Sequence, residues 1–137
     1  MSMTNESENS FTVVPLYGQV FIGDAGKDTE YPQFETGDEA VVTTGSAVVV
    51  ATQSDADGPV NIEVRELENG SIDDETKGTI VFDGELLLPS GQLLVGNQLA
   101  QQFRTFAMPR SARVQVAVDE PGLASRISVA IGEEPAS

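Results

Sequence analysis

The chain has no histidine, no cysteine and no tryptophan, and each absence excludes something. Without histidine and cysteine there is no Ser-His or Cys-His nucleophile pair, and the usual ligands of zinc and most other transition metals are missing. Without cysteine there are no disulfides, which fits a reducing compartment and predicts a cytoplasmic protein. The missing tryptophan argues against a surface that stacks on sugar rings.

Basic residues are also scarce. The 137 residues include 7 Lys and Arg against 22 Asp and Glu, which gives a net charge of −15. This charge repels nucleic acid and anionic lipid and attracts basic proteins and cations. We therefore expect a basic protein as partner, with no nucleic acid and no membrane. Solubility, or a salty cytoplasm, would also explain the acidity.

Targeting and membrane-spanning patterns are missing too. The start, MSMTNESENS, has no basic region followed by an apolar one, and the longest apolar run, AVVVA at 47–51, cannot span a bilayer. By length the chain is one domain. We expect a disordered tail over residues 1–10, a single domain over 11–131 and a second tail over 132–137.

The charge is unevenly distributed. Residues 1–85 hold 18 of the 22 acids with only Lys27, Arg65 and Lys77, so the whole net charge of −15 lies there. Residues 86–118 contain no acid at all. This acid-free segment could bury an apolar face against another copy or a larger assembly.

Alternating apolar residues predict strands. The pattern is clear at Val60–Val64, Ile80–Phe82, Val114–Val118 and Ile127–Ile131, and the predicted outward residues are Glu63, Asp83, Glu85, Arg113 and Arg126. With turn signals at short intervals, this predicts an all-β fold, an antiparallel, jelly-roll-like β-sandwich of about eight strands.

Two stretches fit more than one structure, and one further stretch predicts a turn. Residues 40–52 are either one strand buried on both faces or a hairpin that turns at Gly45-Ser46. Residues 97–108 fit a helical stripe or a strand, and we prefer a strand over 103–108 because strands flank it. Pro89-Ser90-Gly91 predicts a hairpin turn between 86–88 and 93–95.

No catalytic or cofactor motif stands out. Lys27 and Lys77 lie in acidic loops that keep them charged, and with 22 acids any carboxylate pair is uninformative. GDAGKDT at 23–29 lacks the spacing of a phosphate-binding loop. The loops that start at Asp24 and Asp55 fail the calcium-loop spacing, although weak calcium binding stays possible. We expect no enzyme, no cofactor and no metal.

Two acidic loops and one strand are the predicted partner-binding surface. Tyr31 and Phe34 interrupt the first loop and can anchor a partner, or can pack the loop on the core. The predicted binding residues are Asp24, Asp28, Glu30, Tyr31, Phe34, Glu35, Asp38, Glu39, Asp73, Asp74, Glu75, Asp83 and Glu85.

The order of these features resembles a known family. A Tyr-containing strand, YGQVFIGD, leads to an acidic loop; AVVVATQ, PVNIEVREL and TIVFDGELLLPSGQLLVGN follow, and then FRTFAMPRSARVQV. Over residues 17–118 this order is similar to the competence protein J type of nuclease inhibitor, and more loosely to nuclease immunity proteins. The resemblance implies an all-β protein that binds a nuclease and blocks its nucleic-acid site.

Three hypotheses follow. The first is an acidic sandwich that neutralises a basic nuclease or toxin. The second is a structural module that associates through residues 86–118, either with another copy of itself as a homo-oligomer or with a larger assembly. The third is a carbohydrate- or calcium-binding sandwich. We favour the first.

Overall fold

The computed structural model describes residues 10–15, 18–26, 39–66, 78–97, 102–108 and 110–133. They form ten strands and a short 3₁₀ turn at Asp55–Asp57. The strands are β1 (Ser10–Val13), β2 (Gln19–Asp24), β3 (Val41–Thr43), β4 (Ala47–Ala51), β5 (Val60–Glu66), β6 (Thr79–Leu87), β7 (Gln92–Asn97), β8 (Gln102–Ala107), β9 (Ser111–Val118) and β10 (Arg126–Glu133).

The strands form two five-stranded sheets. Sheet A has the order β1-β5-β10-β9-β6, and sheet B has the order β3-β4-β2-β7-β8. Every pairing between these strands is antiparallel except that of β5 with β10, which is parallel. The predicted all-β sandwich is confirmed, with more strands than expected.

The main core lies between the two sheets. Because side chains alternate along a strand, Val60, Ile62 and Val64 of β5 all point inward, and none is more than 1 % exposed. The predicted alternation in β9 and β10 also holds. The core residues on those strands are Val114, Val116, Val118, Ile127, Val129 and Ile131.

Sheet B is apolar on both faces. Val48 and Val50 of β4 join the main core, while Val49 belongs to a second buried cluster with Phe21 and Leu94 on the other face. The two readings of residues 40–52 are therefore both correct: β4 is buried on both faces, and it pairs with β3 across a turn at Gly45-Ser46.

Ile80 was expected in the core, and this prediction is wrong. The side chain is 52 % exposed. Ile80 pairs with Ala117, whereas Phe82 pairs with Val116, so β6 contains one extra residue at this point, a β-bulge. The bulge turns Ile80 to the outer face, and Phe82 beyond it packs against the core as predicted.

The predicted hairpin at Pro89–Gly91 is also wrong. β6 pairs with β9 in sheet A, and β7 pairs with β2 and β8 in sheet B. The turn therefore carries the chain from one sheet to the other. Gly91 adopts φ +73° and donates its N–H to the carbonyl of Leu88 at 2.8 Å, which accounts for the glycine here.

The preferred strand over 103–108 is confirmed as β8. β1 begins at Ser10 and β10 ends at Glu133, so both strands reach slightly beyond the predicted limits of the domain. Within the described residues, no helix is long and apolar enough to cross a membrane.

Candidate partner-binding surface

The outer face of β6 carries two of the predicted binding residues. Asp83 and Glu85 are both exposed, and in the register of sheet A they lie opposite Gln115 and Arg113 of β9. Asp83 and Glu85 are two residues apart on one face, so their carboxylates repeat at about 6.6–6.8 Å along the strand. The neighbouring side chains of β9 lie beside this pair on the same face.

Asp83 is held in one orientation. The Nε and Nη2 atoms of Arg113 donate to its two oxygens at 3.2 Å each, and the Gln115 amide donates to Oδ2 at 2.9 Å. The hydrogen bonds from Arg113 lower the pKa of Asp83, and those from Gln115 add to this effect, against a smaller opposing effect of burial. The Asp83 carboxylate is therefore charged at neutral pH.

Two exposed apolar side chains flank these carboxylates. Ile80 is 52 % exposed and Leu87 is 51 % exposed, and both lie on the outer face of β6. We call the row Ile80, Asp83, Glu85 and Leu87 the β6 stripe. Sequence reasoning found its two acids and missed its two apolar ends. The bulge at Val81 turns Ile80 outward, whereas Leu87 follows the regular alternation and was instead assigned to a hairpin arm.

Asp24 does not belong to an exposed surface. Its side chain is buried, and its carboxylate accepts hydrogen bonds from Ser90 N–H at 3.0 Å, from the Ser90 hydroxyl at 2.7 Å and from Gly26 N–H at 2.9 Å. Asp24 thus fixes the turn that connects the two sheets. A buried carboxylate cannot contact a partner directly, so Asp24 is not kept among the candidate binding residues.

The remaining predicted residues are placed only in part. Glu39 is half-buried beside β3. The others lie outside the described residues, namely Asp28, Glu30, Tyr31, Phe34, Glu35, Asp38, Asp73, Asp74 and Glu75.

Two loops that sequence reasoning did not select lie side by side at one end of the sandwich. Thr52 pairs with Ala124, and Gln53 N–H donates to the Ala124 carbonyl at 3.0 Å. This contact joins the 53–59 turn to the loop over 119–125. The second loop exposes Glu120 and Leu123, the latter at 58 %.

The Asp119 carboxylate organises this second loop. It accepts the backbone N–H groups of Glu120, Ser125 and Arg126 at 2.9–3.1 Å and the Ser125 hydroxyl at 2.5 Å. Burial acts to raise the pKa of Asp119, but these hydrogen bonds outweigh it and the pKa is lowered. Asp119 therefore stays ionised and keeps the loop in one conformation.

A shallow groove of about 340 Å³ crosses the strands at the β1 edge of sheet A. Its polar lining comes from three neighbouring strands and combines hydroxyl, amide, carboxylate and guanidinium groups; these residues are Ser10, Thr12, Asn61, Glu63, Arg126 and Ser128. Among the described residues there is no group of three or more Asp and Glu that could hold a metal ion.

Comparison with known proteins gives a fold-level match. No family model matches the chain, and no curated protein matches its sequence. The structure is similar to the crystal structure of ComJ from Bacillus subtilis, described as an inhibitor of the DNA-degrading activity of NucA. The TM-score is 0.65 at 10 % sequence identity, over 91 % of this chain and 95 % of that one. The resemblance to the competence protein J type is thus confirmed at the level of the fold.

Proposed function

We propose that this chain is an inhibitor that binds a nuclease in the cytoplasm and blocks its access to nucleic acid. The observation that carries the proposal is the structural likeness to ComJ, which extends over 91 % of the chain and includes both sheets. ComJ is described as an inhibitor of a DNA-degrading activity, so a binding role rather than a catalytic one is proposed here.

The charge supports a basic partner. A nuclease binds phosphates in a positively charged groove, and a protein with a net charge of −15 is attracted to such a groove from a distance. Carboxylates held rigidly on a strand can occupy phosphate sites. Asp83 is held rigidly by Arg113 and Gln115 and its side chain is 39 % exposed, but the ion pair with Arg113 offsets its charge.

The β6 stripe is the described part of the proposed surface. Ile80 and Leu87 supply apolar contact, which gives a complex the residence time that charge alone does not provide. The acids of residues 28–39 and 73–75, with Tyr31 and Phe34, remain predicted contributors. Asp24 is left out because its side chain is buried, at 4 % exposure.

The buried strands of residues 86–118 do not support the assembly hypothesis. Within residues 86–118, β7 and β9 are buried over most of their length, which accounts for the missing acids there, whereas β8 is mostly exposed. Leu93, Leu94 and Phe106 belong to the two buried clusters, so changes to them would test folding rather than association. Leu87 and Phe103 are the two large apolar side chains that the described part of this segment exposes.

The proposal is tested by an inhibition assay. The purified chain is titrated into a panel of DNA-degrading nucleases, including one encoded beside its own gene, and the rate of DNA cleavage is measured. We expect stoichiometric inhibition of at least one nuclease, and a complex that elutes as one species in size-exclusion chromatography. A panel that includes the neighbouring nuclease and shows neither inhibition nor a complex would contradict the proposal. Inhibition that persists after unfolding of the chain would show a non-specific polyanion effect instead.

A further inference from the structure

Among the described strands, β8 is an edge of sheet B and is paired on one side only. It pairs with β7 along its whole length, and the structure describes no strand beyond it. Met108 N–H donates to the Gly91 carbonyl at 2.9 Å. Since N–H groups alternate in direction along a strand, those of Phe103, Thr105 and Ala107 point away from β7. They form a row of donors and acceptors that another strand can pair with.

The other three sheet edges carry protection that β8 lacks. β3 is only three residues long. Just beyond β1, the N–H of Val14 is taken by the side-chain oxygen of Gln102 at 2.6 Å. β6 has a bulge and the charges of Asp83 and Glu85. Short length, bulges and charges are the usual means by which proteins prevent pairing at an edge.

The one charge on β8 does not protect its open side. The guanidinium of Arg104 lies over the ring of Phe11 in β1, with Cζ 4.7 Å from the ring centroid, so it is directed at sheet A. The outer face of β8 instead presents Phe103, Thr105 and Ala107, all exposed and all uncharged. Phe103 is 45 % exposed.

Charge indicates which partner fits this edge. A basic nuclease is drawn to surfaces that carry acids, and β8 has none. Two copies of a chain with a net charge of −15 repel each other, so they can approach best where acids are absent. β8 lies inside the segment 86–118, which contains no Asp or Glu. The occupant that suits this edge is therefore a second copy of the chain.

We propose that two copies pair through β8 in an antiparallel arrangement, with a two-fold axis at Thr105. Each Phe103 then lies opposite the Ala107 of the second copy, a large side chain against a small one. About six backbone hydrogen bonds would form across the junction. The two copies of sheet B would become one continuous sheet, and the two-fold symmetry would stop growth at the dimer. β8 lies beside β1, and the β6 stripe lies at the other edge of sheet A from β1. The stripe therefore stays accessible in each copy.

The test is the oligomeric state of the full chain by sedimentation velocity over a range of concentrations. We expect a monomer–dimer equilibrium that strengthens as salt is raised, since the screening length falls from about 10 Å at 0.1 M to about 3 Å at 1 M. Thr105→Lys places two like charges opposite each other and should raise the dimer Kd about tenfold or more. Thr105→Pro should do the same by removing an outward N–H that β7 does not use.

Two variants serve as controls. Thr105→Val keeps the backbone N–H and should dimerise like the wild type. Thr12→Lys makes the same change on the exposed outer face of β1 and should also leave the dimer intact. A wild type that is monomeric at every concentration and salt tested would overturn the proposal. So would a dimer that survives Thr105→Lys, or one that Thr12→Lys weakens equally. If the wild type is monomeric but Thr105→Lys abolishes binding to a nuclease, the edge belongs to that partner instead.

Discussion

Asp24 shows how one buried acid can be structural, whereas most of the other acids whose exposure the structure describes are exposed. Its carboxylate lies at the end of β2 in sheet B and accepts three hydrogen bonds from Ser90 and Gly26. Ser90 is in the turn between β6 of sheet A and β7 of sheet B. The carboxylate therefore ties the crossing point between the sheets to a central strand.

Replacing Asp24 should destabilise the fold. Asp24→Ala removes the shared acceptor of the Ser90 and Gly26 donors at a buried position, and we expect a loss of about 1–3 kcal/mol in the free energy of unfolding. Urea denaturation followed by circular dichroism measures this. Asp57→Ala, at an exposed turn, should change stability by less than about 0.5 kcal/mol. Equal losses for the two variants would show that the Asp24 hydrogen bonds contribute nothing specific.

The lowered pKa of Asp119 makes stability depend on pH on the acid side. The folded-state pKa lies below the ordinary value of 3.8, so the contribution of this group is present above that value and is lost as the pH falls through the folded pKa. Asp119→Asn should therefore be less stable than the wild type at neutral pH, and the difference should shrink below about pH 4. Urea denaturation at several pH values measures this. A difference that is constant with pH would contradict the assignment.

At the scale of elements, close approach between strands β2 and β4 depends on Gly23. A Cβ added there would lie 2.6 Å from the Ser46 carbonyl oxygen and 2.8 Å from Ala47 Cα, so the backbone would have to move. Gly23→Ala should therefore cost about 1–3 kcal/mol.

Gly45 in the adjacent turn provides a matched control for Gly23. A Cβ at Gly45 would meet no atom within 4 Å, so Gly45→Ala should be tolerated. Thermal denaturation of the two variants compares them directly. If Gly23→Ala is as stable as Gly45→Ala, the strands are less tightly packed than described.

Local pattern predicted which segments are strands, but not how the strands pair. Alternation at Val60–Val64 or Val114–Val118 is a property of one segment, and it identified strands and buried faces correctly. The partner of β6 is decided by packing with a segment far along the chain, so Pro89–Gly91 looked like a hairpin turn although it joins two sheets. The β6 bulge and the hydrogen bonds of Asp24 also depend on distant residues. Of the predicted binding residues, Asp83 and Glu85 are exposed as the pattern indicated and Asp24 is buried, while the binding role of the set stays a prediction.

At the scale of the whole molecule, the acidity should govern how fast a partner binds. We propose to neutralise Asp28, Glu30, Glu35, Asp38 and Glu39 together as Asn or Gln, and to measure association and dissociation with the inhibited nuclease at several salt concentrations. If these acids lie at the rim of the complex, the association rate and its salt dependence should fall more than the dissociation rate rises. Any acid desolvated at the centre should cost about 2–5 kcal/mol.

A second variant separates local from overall charge. Neutralising five acids outside the proposed surface changes the net charge by the same amount; these are Glu6, Glu8, Asp57, Glu120 and Glu134. We expect a clearly smaller effect from this set. Identical kinetics for the two variants would assign the attraction to net charge alone and would remove the first acidic loop from the interface.

In the same assay, Ile80→Ser and Leu87→Ser should mainly speed dissociation if the β6 stripe is in contact with the nuclease.

The position of β10 within sheet A affects when the protein can fold during its synthesis. β10, at Arg126–Glu133, lies between β5 and β9, and its parallel pairing with β5 joins segments about 65 residues apart in the chain. The ribosome makes every strand of sheet B before residue 108, but sheet A lacks a middle strand until β10 has emerged. A nascent chain without β10 lacks the strand that joins β5 to β9 in sheet A. We expect the core to be completed late in synthesis, because Ile127, Val129 and Ile131 of β10 belong to it.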